Sequence, residues 1–165
     1  MVAARGSGAL ALAKALALLV PAALLAGAYG SQYWGGLHPC EMCYWQRWPH
    51  FAALALAIAA YAFARMPDRG RSFVWLAALA ILISGAIGVW HAGIEAGIFS
   101  GITSCSSGGG GSLEEIMARP MIRCDEVQFR FLGISMAGWN AIISISAALV
   151  IAWLSLKRRA PEHPA

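Results

Sequence analysis

The chain has 165 residues, of which 59% are hydrophobic and only 12% are charged. A soluble domain carries about twice that charged fraction, so the composition excludes an ordinary water-soluble fold and predicts a membrane protein. The net charge of +4 does not indicate nucleic-acid binding, because the basic residues cluster at the ends of apolar runs rather than along a binding stripe.

Four apolar segments follow one another along the chain: residues 8–30, 48–64, 73–93 and 133–156. Each is close to the ~20 residues that a helix needs to cross the hydrocarbon core of a bilayer. We expect helices in all four, because lipid offers no partners for unpaired backbone groups. Glycine, alanine and serine recur within the segments and would allow close helix packing. The sequence therefore predicts an all-α fold, an integral membrane four-helix bundle that forms a single domain over residues 1–165.

The charges of the connecting loops predict the orientation of these helices. With both termini in the cytoplasm, that side carries eight basic and two acidic residues, and the other side carries four basic and six acidic residues. Basic residues favour the cytoplasmic side, so the loops at about 31–47 and 94–132 are expected on the outer side. The first segment also resembles a secretory signal peptide, whose cleavage would remove one helix and leave the later loops on the same sides.

All four cysteines, Cys40, Cys43, Cys105 and Cys124, fall in the two outer loops, and their arrangement favours Cys40–Cys43 and Cys105–Cys124 as resting disulfides. The Cys-x-x-Cys spacing of the first pair favours thiol–disulfide exchange, because a bridge across two residues removes little chain entropy and makes a poor staple. Static bridges are the second interpretation. A zinc site is the third, and it is disfavoured because only one of the two pairs is short-spaced.

The position of Cys43 strengthens the redox interpretation. It lies just before the second apolar segment or in the first turn of its helix, where the positive end of the helix acidifies a thiol. Arg47 follows four residues later and would share a helix face with Cys43, so its guanidinium could stabilise a thiolate or polarise an electron acceptor. The alternative role for Arg47 is that of an interfacial anchor. A dithiol at the bilayer surface indicates an acceptor dissolved in the lipid, for which a quinone is the obvious two-electron candidate.

The second outer loop combines flexible and apolar sequence. Gly108 to Gly111 predict a flexible spacer, which would leave Cys105 on a mobile segment able to reach a disulfide site of another protein. Residues 113–122 predict a short amphipathic helix on the membrane surface, interrupted by Pro120. An ordinary solvated loop helix is the alternative for this segment.

Taken together, these features resemble the disulfide bond formation protein B (DsbB) family of bacterial inner membranes. The resemblance rests on Cys40-x-x-Cys43 before the second helix, on Arg47 one turn later, on the second cysteine pair, and on "RCDE" followed by "GISMAGWN". It implies a multi-pass inner-membrane protein with cytoplasmic termini and two periplasmic loops that hold the cysteines. It also implies that the protein reoxidises a periplasmic DsbA-like thioredoxin-fold oxidase and reduces ubiquinone or menaquinone.

The resemblance also implies a role for each cysteine. Cys105 would form the mixed disulfide with the partner, and Cys124 would be its resolving mate. Cys40 would attack the second pair during internal exchange, and Cys43 would face the quinone.

Two further residues match the family's quinone site, and no metal site is expected. Arg47 matches the quinone-site arginine, and His91 matches a histidine near the quinone. A packing or interfacial role is an equal alternative for His91. A vitamin-K-epoxide-reductase-like enzyme is a close variant of this function. A non-catalytic membrane scaffold with stapled outer loops is the alternative from a different class.

Overall fold

The computed structural model describes residues 2–100 and 123–157, with side chains from Gly8 onward. Within these ranges the chain forms four helices and one short β-hairpin. The elements are α1 (Val2–Tyr33), α2 (Glu41–Ala62), α3 (Arg71–Glu95), β1 (Arg130–Phe131), β2 (Ile134–Ser135) and α4 (Met136–Leu156). The predicted helical fold is confirmed, and the two-residue strands, which the sequence analysis did not predict, are an addition to it.

Three of the helices are long and apolar enough to cross a membrane, namely Gly8–Tyr33, Arg71–Glu95 and Met136–Leu156. Their large apolar side chains, such as Leu19, Leu79 and Leu149, are exposed on the outside of the fold. The interior is built largely from alanine, with serines also buried there. A water-soluble protein buries its large apolar side chains, whereas lipid solvates them, so this distribution indicates a membrane protein.

Helix α2 begins at Glu41, well before the apolar segment that was predicted to start at Trp48. Cys40 is its N-cap residue, and the Cys40 sulfur accepts a hydrogen bond from the backbone amide of Cys43 at 3.4 Å. Hydropathy missed this start because the first turns of the helix are polar. The prediction that Cys43 lies at the N-terminus of the second helix is confirmed.

Small residues allow helix α3 to pack closely against α4. A methyl group added at Gly88 would lie 3.0 Å from the backbone oxygen of Ala137 and 3.1 Å from the backbone nitrogen of Ala141. One at Gly85 would lie 2.8 Å from the side chain of Ile145. These contacts confirm that glycine permits the close approach of two apolar helices. Helix α3 also packs extensively against α2, and α1 contacts α2 and α4.

The chain enters α4 through the β-hairpin. Strands β1 and β2 pair antiparallel around a two-residue turn, Leu132–Gly133, in which both residues have positive φ. Such turns match the twist of a hairpin. Ser135 then caps α4, since its hydroxyl accepts a hydrogen bond from the backbone amide of Gly138 at 3.1 Å. The hairpin thus fixes where α4 begins, at the same end of the fold as Cys40.

At the opposite end of the fold, replacing Gly70 with alanine is expected to destabilise the protein by at least ~2 kcal/mol. Gly70 has φ of 76°, and a methyl group there would lie 2.3 Å from the backbone oxygen of Ala60. Gly97 is the matched control, because its φ is 71° but no atom lies within 4 Å of an added methyl group. The Gly97 variant should lose only about 1–2 kcal/mol for its left-handed backbone. Unfolding in detergent micelles measures both losses, and equal losses would contradict the role of the contact with Ala60.

Candidate active site

Three sulfur atoms and one histidine ring meet at the end of the fold where α2 and α4 begin. The sulfur atoms of Cys40 and Cys43 lie 3.0 Å apart, and the Cys40 sulfur lies 3.5 Å from Nε2 of His91. The Cys124 sulfur, the Cys40 sulfur and a ring nitrogen of His91 all lie within 4.8 Å of one another. The structure therefore brings together four of the six predicted site residues, and thiol exchange between the two cysteine-containing loops needs this proximity.

The fourth cysteine, Cys105, lies outside the described residues. The glycine-rich spacer and the predicted amphipathic helix of residues 113–122 lie outside them as well.

Hydrogen bonds of Gln128 connect the segment that contains Cys124 to the loop between α1 and α2. The Gln128 side-chain oxygen accepts a hydrogen bond from the backbone amide of His38 at 3.0 Å, and its side-chain nitrogen donates to the backbone oxygen of His38 at 2.5 Å. This paired contact joins residues 90 positions apart in the sequence. It holds the two cysteine-containing loops together beside Cys40, and no local sequence pattern predicts it.

The two thiols of the Cys-x-x-Cys pair differ in acidity. The hydrogen bond with Cys43, together with burial, raises the pKa of Cys40. Hydrogen bonds from Cys40 and the nearby charge of Arg47 lower the pKa of Cys43 despite its burial. Cys43 is therefore the sulfur that carries negative charge more readily, and a thiol of lower pKa is the better leaving group in exchange.

Arg47 is buried and held against α1, with only 7% of its surface exposed. Its guanidinium donates hydrogen bonds to the side-chain oxygen of Gln32 at 2.7 Å and to the backbone oxygen of Ala28 at 3.4 Å. It also lies over the rings of Tyr29 and Tyr44, 4.7 and 5.1 Å from their centroids. These contacts hold the positive charge in a fixed position and do not fit an arginine that extends freely to the membrane surface.

A cavity of about 320 Å³ opens between the helices beside the cysteine cluster. Its wall includes Cys40, Cys43, Arg47 and His91, together with apolar side chains from α1 and α4. Small-molecule sites are concave, mostly apolar and at least roughly 300 Å³ in volume, with a few polar groups that orient the ligand. The cavity has these properties, and it places the more acidic thiol and a fixed cation on one wall.

A buried polar network lies beneath the cysteine cluster, and the sequence analysis did not identify it. It links Gln46 and His50 of α2, Ser84 and His91 of α3, and Asn140 and Ser144 of α4. Polar side chains inside apolar segments are costly in a membrane and are rarely without a function. Applied to the sequence, this rule would have identified Gln46 and His50 in "QRWPH" and Asn140 in "GWN" as candidate functional residues.

The cluster of Cys40, His91 and Cys124 also has the ligand types that zinc prefers. A structural zinc site takes four ligands, and this cluster supplies three in the part of the chain that the structure describes. The sulfur atoms of Cys40 and Cys124 lie within 4.8 Å of each other, and the Cys43 sulfur lies 3.0 Å from that of Cys40. This arrangement suits disulfide exchange better than it suits a zinc site.

Comparison with known proteins gives a consistent result. The sequence model of the family described as disulfide bond formation protein DsbB matches residues 11–154. Disulfide bond formation protein B of Azoarcus sp. (strain BH72) is 30% identical over 146 residues, which cover 84% of this chain and 87% of the relative. The protein of the same name from Marinobacter nauticus (strain ATCC 700491 / DSM 11845 / VT8) is 25% identical over 159 residues, 89% of this chain and 92% of the relative. An uncharacterized protein of Rickettsia prowazekii (strain Madrid E) is 26% identical over 129 residues, 73% of each chain. No solved structure matches the chain significantly.

The family match covers far more than half of the chain and includes all four cysteines. It confirms the resemblance that the cysteine pattern indicates. The chain therefore belongs to the DsbB family of disulfide bond formation proteins, and this membership indicates that it is a membrane disulfide oxidoreductase.

Proposed function

We propose that the protein is a quinone-dependent protein-disulfide oxidoreductase. It reoxidises a periplasmic DsbA-like thioredoxin-fold oxidase and passes the electrons to ubiquinone or menaquinone in the membrane. The observation that supports this function most directly is the cavity of about 320 Å³ that touches Cys43, Arg47 and His91. Its mostly apolar wall suits a lipid-soluble ring, and its few polar groups suit the oxygen atoms of that ring.

The proposed topology follows from the loop charges and the helix order. All four helices, α2 included, cross the bacterial inner membrane as one domain. Both termini lie in the cytoplasm, and the two loops that hold the cysteines lie in the periplasm. Helix α2 needs its partners for this crossing, because its polar side chains Gln46, Arg47 and His50 are buried and form hydrogen bonds to α3, α1 and α4.

The first half of the relay exchanges disulfides between proteins and then between loops. A thiolate of the reduced partner attacks Cys105, breaks the Cys105–Cys124 bond and releases Cys124 as a thiolate. Cys124 then attacks Cys40, breaks the Cys40–Cys43 bond and releases Cys43 as a thiolate. This direction is opposite to the attack by Cys40 that the resemblance suggested. Electrons pass from the Cys105–Cys124 pair to the Cys40–Cys43 pair, so the Cys40–Cys43 pair must be the disulfide that is attacked.

The second half of the relay takes place at the wall of the cavity. A bound quinone supplies an acceptor for two electrons and two protons. Cys43 presents the reacting sulfur to the cavity, and its lowered pKa keeps that sulfur available as a thiolate. Arg47 holds a positive charge beside the position where negative charge grows on the acceptor, and His91 supplies a ring nitrogen at the same wall. The second thiol of the partner breaks the mixed disulfide with Cys105, and the released Cys105 thiolate attacks Cys124, which forms the Cys105–Cys124 bond again and releases Cys40. The Cys40–Cys43 bond then forms again as this pair gives up two electrons and two protons to the acceptor.

Quinone reduction driven by a reduced protein partner tests this function. The purified protein in lipid vesicles is mixed with a reduced DsbA-like oxidase and a short-chain ubiquinone, and the quinone absorbance is followed. We expect one quinone to be reduced for each partner disulfide formed, and we expect the variant Cys43→Ala to reduce none. Partner oxidation without quinone reduction would point to another acceptor, and the absence of both would support a non-catalytic scaffold.

A further inference from the structure

The orientation of the Gln46 amide is determined by hydrogen-bond partners that can act only as acceptors or only as donors. Its side-chain nitrogen donates to the backbone oxygen of Met42 at 3.2 Å and lies 2.8 Å from Nδ1 of His91. Its side-chain oxygen accepts from the side-chain nitrogen of Asn140 at 2.8 Å. Asn140 is oriented in turn, because the same nitrogen donates to the backbone oxygen of Ser84 at 3.1 Å. A backbone oxygen can only accept, so neither amide can be turned round without losing a buried hydrogen bond.

This orientation decides which nitrogen of His91 carries the proton. The Gln46 nitrogen donates to Nδ1, so Nδ1 must be unprotonated, and the proton of the neutral ring is on Nε2. Nε2 faces the Cys40 sulfur at 3.5 Å and a carboxylate oxygen of Glu95 at 3.7 Å. The His91 ring also forms a hydrogen bond with the backbone of Cys124. His91 is 3% exposed and Gln46 is 7% exposed, so water does not compete strongly for these contacts.

We propose that Gln46, itself oriented by Asn140, is a positioning residue that holds His91 with its proton on Nε2, so that His91 donates a hydrogen bond to the Cys40 sulfur during exchange. This inference rests on the role proposed above for Cys40. It assigns His91 to the sulfur chemistry and gives Gln46 and Asn140 a function that neither the motif nor the family name assigns.

The chemistry of Cys40 explains why such a donor is useful. Cys40 is 3% exposed, and the hydrogen bond with Cys43 and burial raise its pKa. Cys40 must nevertheless accept negative charge, either when it leaves the bond to Cys124 or when it closes the bond to Cys43. An N–H group aimed at a buried sulfur stabilises that charge. When Cys40 is in a disulfide, the same N–H group can interact with Glu95 instead.

The protonation of His91 is measured directly by nuclear magnetic resonance of protein labelled with 15N-histidine. Two-bond 15N–1H spectra should show Nδ1 of His91 unprotonated and Nε2 protonated in the native protein. In Gln46→Glu the carboxylate can only accept, so a proton should appear on Nδ1. A protonated Nδ1 in the native protein, or an unchanged pattern in this variant, would overturn the proposal.

The effect on the sulfur is measured by alkylation of Cys40 at neutral pH, with the other three cysteines replaced by serine. Gln46→Met should slow this reaction about fivefold, the scale of one hydrogen bond. Ser144→Ala is the matched control, because the Ser144 hydroxyl donates to Asn140 at 3.1 Å in the same network without orienting Gln46. The control should react at the native rate, and an equal loss in both variants would mean that Gln46 is only structural.

A double-variant cycle shows whether Gln46 acts through His91. His91→Phe should also slow the alkylation of Cys40, and adding Gln46→Met to that variant should slow it no further. A further loss in the double variant would contradict the proposal. Neither readout involves a partner protein or a quinone. A failure of the proposed relay in lipid vesicles would therefore be seen separately from a failure of this inference.

Discussion

Replacing Cys124 with alanine is expected to trap the protein in a mixed disulfide with its partner, because the Cys105 thiolate attacks the disulfide of the oxidised partner and no Cys124 thiolate remains to displace it. In the proposed relay, the partner attacks Cys105, and only the Cys124 thiolate can carry the electrons on to Cys40. Without that thiolate, electrons cannot pass from the second loop to Cys40. Among the described residues of that loop, Cys124 is the one whose sulfur lies beside the Cys40 sulfur. Turnover should fall by about 10³-fold or more, as expected for the loss of a nucleophile in covalent catalysis.

Non-reducing electrophoresis after mixing with the oxidised partner measures the trapped species. Cys105→Ala is the control, since it removes the sulfur that bonds to the partner and should form no mixed disulfide. Cys124→Ser should behave like Cys124→Ala, because a hydroxyl does not exchange with a disulfide. Accumulation of the mixed species in Cys105→Ala would reverse the assigned roles of the two cysteines.

Replacing Arg47 with methionine is expected to raise the KM for quinone by about tenfold or more and to lower kcat, since a buried charge beside developing negative charge contributes roughly 3 kcal/mol. Exchange with the partner protein should be little affected, because the first steps take place at Cys105 and Cys124. The measurement is quinone reduction at varied quinone concentration, with the rate of mixed-disulfide formation followed separately.

Gln32→Met separates the charge of Arg47 from its contact with α1. The Gln32 side chain accepts a 2.7 Å hydrogen bond from the guanidinium, so this variant loosens the contact between α1 and α2 but keeps the charge. We expect a much smaller rise in KM than in Arg47→Met. Arg47→Lys should give an intermediate value, because lysine keeps a charge but not the fork of donors that reaches Gln32 and Ala28. Equal losses in Gln32→Met and Arg47→Met would show that Arg47 only supports the helix packing.

Local features of the active site followed from the sequence alone. The Cys-x-x-Cys pair and Arg47 lie within two helical turns, so helix geometry by itself places Cys43 and Arg47 on one face. The three most apolar helices were also predictable, because the length and hydropathy of a membrane span are properties of a continuous segment. Each of these features depends only on residues that are near one another in the chain.

The tertiary structure alone decided which distant groups meet. The start of α2 was misjudged because Gln46 and Arg47 lower the hydropathy of a segment in which these two polar side chains are in fact buried against other helices. Gln46 and Asn140 are 94 positions apart, and the contact between their amides depends on how α2, α3 and α4 pack. The pairing of Gln128 with His38, which holds the two cysteine-containing loops together, likewise spans 90 positions. Hydrogen bonds of this kind have no periodic pattern in the sequence, because they form only after the apolar surfaces and small residues have fixed the positions of the helices.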